Sequence, residues 1–178
     1  SQGIANTGAS GDNWTISGNS IYNTGNPNAL LVAIYFPLIN ATPINNLNIT
    51  GNYIGGTGPL ATGTQTNGYN STESYGIFVN TGTTNISNNT IKGMRFSHTS
   101  NSAFVCIDIT GGTTATIDGN VMDAIEVDGN VAQQGYIYGV RSATSSTLTV
   151  TDNSFAYLTC LGASVLGNGA YVKCIQHT

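Results

Sequence analysis

Charge is what this chain has least of. Only 7 % of its 178 residues are Asp, Glu, Lys or Arg, with four Lys plus Arg against eight Asp plus Glu, where an ordinary soluble domain carries about 25 %. Hydration of the surface therefore falls to Asn, Thr and Ser. So few cations, at a formal net charge of -4, remove the phosphate contacts that supply most nucleic-acid affinity. Nucleic acid and anionic membrane surfaces are not expected partners. Long apolar runs are missing too. The longest, from Ala29 to Ile39, is interrupted by Pro37 and reaches about half of the ~20 residues that span a bilayer, so no membrane insertion is expected. Three cysteines, Cys106, Cys160 and Cys174, cannot build a disulfide framework, and the odd count leaves at least one unpaired. They are expected as small buried hydrophobes. The opening Ser1-Gln2-Gly3-Ile4 lacks the basic and apolar regions of a secretory signal, so a signal is either absent or already removed. One domain, residues 1–178, fits the length.

What the chain does contain is a repeat. Ile16-Ser17-Gly18-Asn19-Ser20-Ile21 returns as Ile49-Thr50-Gly51-Asn52-Tyr53-Ile54 and as Ile86-Ser87-Asn88-Asn89-Thr90-Ile91. Two further copies are Ile117-Asp118-Gly119-Asn120-Val121-Met122 and Val150-Thr151-Asp152-Asn153-Ser154-Phe155. From Asn19 through Asn52, Asn89 and Asn120 to Asn153 the separations are 33, 37, 31 and 33 residues, within the period of solenoid repeats. Abundant β-branched residues, Gly and Asn exclude helical repeats.

A second motif lies between copies of the first, as Ala33-Ile34-Tyr35-Phe36, Gly76-Ile77-Phe78-Val79, Cys106-Ile107-Asp108-Ile109, Gly139-Val140-Arg141-Ser142 and Cys174-Ile175-Gln176-His177. Alternation within these short strands sends one column of aliphatic side chains inward and the flanking polar residues outward. Each coil thus carries a strand, a tight turn, a second strand, a variable loop and the second-motif strand. The turn requires a residue tolerant of left-handed φ/ψ, which Gly18, Gly51, Asn88, Gly119 and Asp152 supply. The asparagine after each can stack inside on its counterpart one coil away and satisfy the turn backbone, where an unmet buried group costs about 1–3 kcal/mol.

On these residues the chain resembles the right-handed parallel β-helix family, the pectate-lyase-like superfamily, whose repeats carry Ile-x-x-Asn-x-Ile over an internal asparagine ladder. The resemblance implies an all-β, single-stranded solenoid of about five coils, with Asn19, Asn52, Asn89, Asn120 and Asn153 as the ladder. The Gly-Ile-x-Val-x-Thr-Gly style of the repeats also resembles long repetitive surface proteins of Bacteroidetes-type bacteria, which implies an extracellular or cell-surface location. Gly3-Ile4-Ala5-Asn6-Thr7-Gly8 matches Gly76-Ile77-Phe78-Val79-Asn80-Thr81-Gly82 apart from one position, so both ends fall in the same phase. Without capping helices, exposed strand edges are templates for further pairing. The expectation is a segment of a longer solenoid or a unit that stacks end to end, with loops such as Asn6 to Asp12 and Leu161 to Asn168 as the other way to cover the ends.

Chemistry is sparse. Pectate-lyase-like enzymes work on one outer sheet with acidic clusters for calcium and a basic residue for proton abstraction, or with several aspartates. Here an Asp-Asp pair and the family's Asn-Thr-Asp, His-Gly and Arg-Ile-Lys signatures are all missing. The second motif aligns Tyr35, Phe78, Asp108, Arg141 and Gln176 in one outward column, making Asp108 and Arg141 the pair to test for catalysis, though a surface ion pair worth about 0–1 kcal/mol explains it as simply. Lys92 and Asp123 form a similar pair in the first motif. Asp118, Asp123, Glu126 and Asp128 offer oxygens but match no calcium loop, and read as a solvated turn. His98 and His177 are too isolated for a metal or triad, and no cofactor is expected. Tyr22, Tyr35, Tyr69, Tyr75 and Phe78, with Trp14, could stack on sugar rings. The Thr/Ser face differs from ice-binding arrays because Asn48, Asn85 and Asp118 interrupt it. Loops from Thr57 to Ser74 and from Gly93 to Ser102 are expected to carry specificity. The expected function is a non-catalytic structural or adhesive module of a secreted or cell-surface protein, a stalk or filament subunit with polysaccharide as a candidate ligand. The alternative is a polysaccharide lyase or glycoside hydrolase.

Overall fold

The structure, a computed structural model, describes residues 2–6, 11–25, 31–37, 44–68, 73–98, 102–129, 135–143, 147–161 and 170–178. Its strands, numbered in chain order, form three parallel sheets that the chain visits in rotation. The first sheet holds β1 (Gln2–Ala5), β4 (Val32–Phe36), β8 (Glu73–Asn80), β11 (Ser102–Gly111), β14 (Gly135–Ser142) and β17 (Tyr171–His177). The second holds β2 (Thr15–Ser17), β5 (Leu47–Thr50), β9 (Thr83–Ser87), β12 (Thr114–Asp118) and β15 (Thr147–Thr151). The third holds β3 (Ser20–Ile21), β6 (Tyr53–Ile54), β10 (Thr90–His98), β13 (Val121–Gly129) and β16 (Ser154–Leu161), and β7 (Gln65–Asn67) also pairs with β10. This is the expected β-helix.

Register is uniform enough that like stacks on like. Ile16, Ile49, Ile86, Ile117 and Val150 form one inward column. Ile4, Ile34, Ile77, Ile107, Val140 and Ile175 form a second, and Ile21, Ile54, Ile91, Met122 and Phe155 a third. Together they make one continuous core. Each fully buried aliphatic side chain contributes about 1.5–3 kcal/mol.

The turn between second and third sheets carries the polar counterpart of these columns. Gly18, Gly51, Asn88, Gly119 and Asp152 all have φ between 52° and 65°, the left-handed region the sequence demanded of them. Each following asparagine reaches inside. The Asn89 Oδ1 accepts the Asn52 backbone N–H at 3.0 Å and its Nδ2 at 2.9 Å. In turn the Asn89 Nδ2 donates to the Ile49 carbonyl at 2.9 Å and to the Asn120 Oδ1 at 3.0 Å. Equivalent bonds join Asn19 to Asn52 and Asn120 to Asn153, so all five asparagines form one ladder.

Two irregularities shape the outside. In the first sheet Gly76 and Ile77 are both buried, as are Gly139 and Val140, so alternation skips a step there. Third-sheet strands instead kink through left-handed residues at Gly93 (φ 66°), Ala124 (φ 50°) and Tyr157 (φ 48°). For the two non-glycine residues this costs about 1–3 kcal/mol each.

Several expectations need correction. The stretch from Gly93 to Ser102 is not an extended loop: β10 continues to His98 and β11 begins at Ser102, because Met94 and Phe96 pack inward and prolong the strand. Asp123, Glu126 and Asp128 lie in β13 rather than in a solvated turn, since Met122, Ile125 and Val127 alternate with them into the core. Of the cysteines only Cys106 is fully buried; Cys160 is half-buried and Cys174 exposed. Residues from Thr57 to Ser74 include a short 3-10 turn, Pro59–Ala61, and β7. The loops proposed to cover the ends lie largely outside the described residues.

Replacing Asn89 by Ala strips the buried Asn52 N–H of its acceptor. At about 1–3 kcal/mol for each unmet group, the variant is expected to lose roughly 3 kcal/mol or more, read as a lower urea midpoint at unchanged slope. Asn19→Ala, at the partly exposed end, should lose much less; equal losses at the two sites would refute the ladder's role.

Candidate functional site

The outer face of the first sheet gathers most of the chain's unusual side chains. Here β8, β11, β14 and β17 align Glu73, Ala103, Tyr136 and Tyr171 in one column. A second column runs Tyr75, Val105, Tyr138 and Lys173, and a third, beyond the skipped step, Phe78, Asp108, Arg141 and Gln176. Ala103 and Val105 are small enough for the flanking tyrosines to close over them, giving an outer apolar cluster with Tyr138.

Arg141 organises this face. Its Nε and Nη2 donate to the two Asp108 oxygens, both at 2.9 Å. Its Nη1 and Nη2 also donate to Glu73, at 2.7 and 2.8 Å. One guanidinium thus holds two carboxylates, one on the neighbouring strand and one two strands away. Planar bidentate geometry suits Arg to this and not Lys. The Asp108 side chain is 1 % exposed, so its charge is tolerable only while that partner remains. The guanidinium carbon also lies 5.3 Å from the Tyr138 ring centre and 5.9 Å from that of Tyr75, distances at which a cation is attracted by a ring face.

Protonation follows from these contacts. Hydrogen bonds from Arg141 hold the Glu73 carboxyl below its ordinary value. Hydrogen bonds to Glu73 and then Asp108 make the guanidinium hold its proton more tightly still. Burial raises the Tyr75 and Tyr138 phenols, helped by hydrogen bonds to Glu73 and Tyr171 respectively. Chemically the cluster is closed on itself. A proton-abstracting base must release a proton readily, and a glycosidase acid needs a raised carboxyl; Arg141 and Glu73 are shifted the other way. At the rim, Lys173 Nζ sits 4.8 Å from the Tyr171 ring centre, and no carboxylate pairs with it among the described residues.

Of the aromatic residues singled out from the sequence, Tyr35, Tyr75 and Phe78 come together here. Ring centres are 5.3 Å apart for Tyr35 and Phe78 and 5.2 Å for Tyr75 and Phe78. Tyr22 lies apart, beside a cavity of about 190 Å³ between the first and third sheets, and Trp14 packs edge-on to Phe36. Tyr69 is outside the described residues. Lys92 and Asp123 are register partners yet make no ion pair: one Asp123 oxygen is buried without a hydrogen-bond partner, and the cation that pairs with β13 is Arg95, at 2.8 Å from Glu126 and 3.4 Å from Asp128. Among the described residues no three His, Cys, Asp or Glu side chains could hold a metal ion. Sequence reasoning missed Glu73, Tyr136, Tyr138, Tyr171 and Lys173; the signal for them was the spaced pair preceding each second motif, Glu73 and Tyr75, Tyr136 and Tyr138, Tyr171 and Lys173.

No protein-family model matches the chain, and neither a curated protein nor a solved structure matches it.

Two outcomes follow for stability. Arg141→Met strands a buried carboxylate and is expected to cost about 3–5 kcal/mol, part of which Asp108→Asn in the same chain should restore; a double variant no more stable than the single one would contradict the pairing. Because Glu73 has its pKa lowered by folding, its contribution is complete above the ordinary carboxyl range and disappears as pH falls through the lowered value. Glu73→Gln should therefore flatten the acid limb of the stability profile below about pH 4.5, where the parent chain loses stability.

Proposed function

We propose that the chain is a non-catalytic structural and adhesive module of a secreted or cell-surface protein, a rigid β-helix whose first-sheet face holds polysaccharide. The observation that carries this reading is the saturation of Arg141 by Glu73 and Asp108 within a frame of tyrosines. Such a cluster is preorganised and rigid, and its charged groups are committed to one another rather than to proton transfer. Half-buried tyrosines and Phe78 offer apolar faces with polar tips, a combination suited to sugar rings. The resemblance to pectate-lyase-like β-helices and to repetitive bacterial surface proteins supports the same reading, while leaving lyase or hydrolase activity as the alternative.

A panel of neutral and uronate polysaccharides, assayed both for retention of the protein and for release of new chain ends, tests it. Retention without cleavage is expected, with Tyr75→Ala weakening retention at least tenfold. Cleavage that Asp108→Asn and Arg141→Ala both abolish would reverse the reading in favour of an enzyme.

The edge strands of the first sheet support a further part of the proposal, end-to-end association into a stalk or filament. The first sheet stacks six strands where the second stacks five, so β1 of a following copy would pair along the outer edge of β17. Ile175, at 51 % exposed, would continue its column. Electron microscopy of concentrated protein should show fibres with an axial repeat of about 29 Å, six strand spacings of roughly 4.8 Å. Particles of one copy at every concentration would remove this part of the proposal.

A further inference from the structure

Among the described residues Tyr157 is the most exposed of the large apolar side chains, at 82 %, and it occupies a left-handed backbone position with φ 48°. A bulky residue with positive φ is an outlier that packing elsewhere must hold in place. Nothing in the core explains the choice, since its side chain points away from it. Equivalent positions on the neighbouring strands are Ala124 and Gly93, as the pairings on either side of each show. Gly93 is itself constrained: a Cβ there would lie 2.3 Å from the Gly63 carbonyl oxygen. The chain around the Pro59–Ala61 turn therefore rests on Gly93 and forms a wall. Ala124 beside it leaves a floor, and Tyr157 stands on the far side. The cleft so formed measures about 350 Å³ and is lined by Thr64, Arg95, Ala124, Glu126, Tyr157 and Thr159, with Met94 and Ile125 beneath. That volume is at the lower end for small-ligand sites.

We infer that this third-sheet cleft is a subsite for one ring or two of a neutral saccharide, stacked by its C–H face on Tyr157. Arg95 spends its Nε on Glu126 at 2.8 Å and an Nη2 hydrogen on Asp128 at 3.4 Å, leaving each carboxylate with acceptor sites and the guanidinium with further donors. Hydroxyl groups, which donate and accept, satisfy both kinds of site together, and Thr159 and Thr64 add two more. Glu126 in the lining and Asp128 just beyond it, against the one guanidinium of Arg95, leave the cleft and its border with a net negative charge. Uronates are therefore repelled and neutral sugars preferred. The inference stands apart from the first-sheet face, which lies on a different sheet.

The test is calorimetric and NMR titration of the full chain with cellobiose, maltose and mannobiose, and with digalacturonate for comparison. At least one neutral disaccharide should bind, at least tenfold more tightly than digalacturonate. Tyr157→Gly should weaken that binding at least tenfold while leaving the thermal midpoint unchanged or raising it by about 2–4 °C, because glycine relieves the positive φ. Tyr157→Phe should retain most of the affinity, and the NMR signals that shift should be those of Ala124, Thr159 and their third-sheet neighbours, which separates this site from the first-sheet surface. Failure of all three neutral sugars to bind, equal or tighter binding of digalacturonate, or unchanged affinity in Tyr157→Gly would each overturn the inference.

Discussion

Everything on the surface of this molecule depends on one buried arrangement, the side-chain ladder that runs from Asn19 to Asn153. A parallel coil must turn sharply between its second and third sheets, and a sharp turn leaves backbone donors and carbonyls facing the interior. Each asparagine meets those groups and, through the same amide, those of its neighbour, so the turn of every coil is bonded to the next in a single register. The left-handed residue before it makes the geometry available. Hydrophobic columns alone would tolerate sliding by two residues, since the side-chain period is two. A ladder of directional bonds does not, and it converts a nonspecific core into a fixed alignment of coils.

Fixed alignment has a consequence for the outer faces. Residues that occupy the same place in successive coils are brought to strand spacing whatever their separation along the chain, so Arg141 meets Asp108 across one strand boundary and Glu73 across two. With so few ionisable groups available, two of the four cations are each shared between two carboxylates. The Arg141 cluster is packed among tyrosines; the Arg95 cluster borders an open cleft. Identical electrostatics thus produce a rigid surface in one place and an accessible one in the other, and local burial decides which.

The fold was legible because its determinants are local and repeated: five copies of an Ile-x-x-Asn-x-Ile pattern state the ladder, the turn and the inward column at once. Asp108 and Arg141 were legible as neighbours for the same reason. Glu73, Tyr138 and Lys173 were not, because burial of both Gly76 and Ile77 breaks the alternation. Strict period two, extended back from Phe78, would turn Gly76 outward and Tyr75 inward, so the outward columns before the skipped step cannot be aligned from the motif, and Tyr75 stands out only as an aromatic residue. The third sheet failed differently. Its kink at Gly93 looks like the start of a loop, when in fact the strand resumes at Met94 with its core contacts intact.

That kink shows how a β-helix separates backbone geometry from surface chemistry. Gly93, Ala124 and Tyr157 share one backbone conformation, yet only the first is compelled to be glycine, by the close approach of Gly63. Ala124 and Tyr157 face no such approach, so what stands there is limited by strain of about 1–3 kcal/mol rather than by collision. Strain of that size is a minor fraction of what the stacked core contributes, and the coil retains its register through the ladder and the inward columns on either side. A position that costs stability in isolation becomes, within the array, a place where a large side chain can be displayed outward without disturbing the strand that carries it.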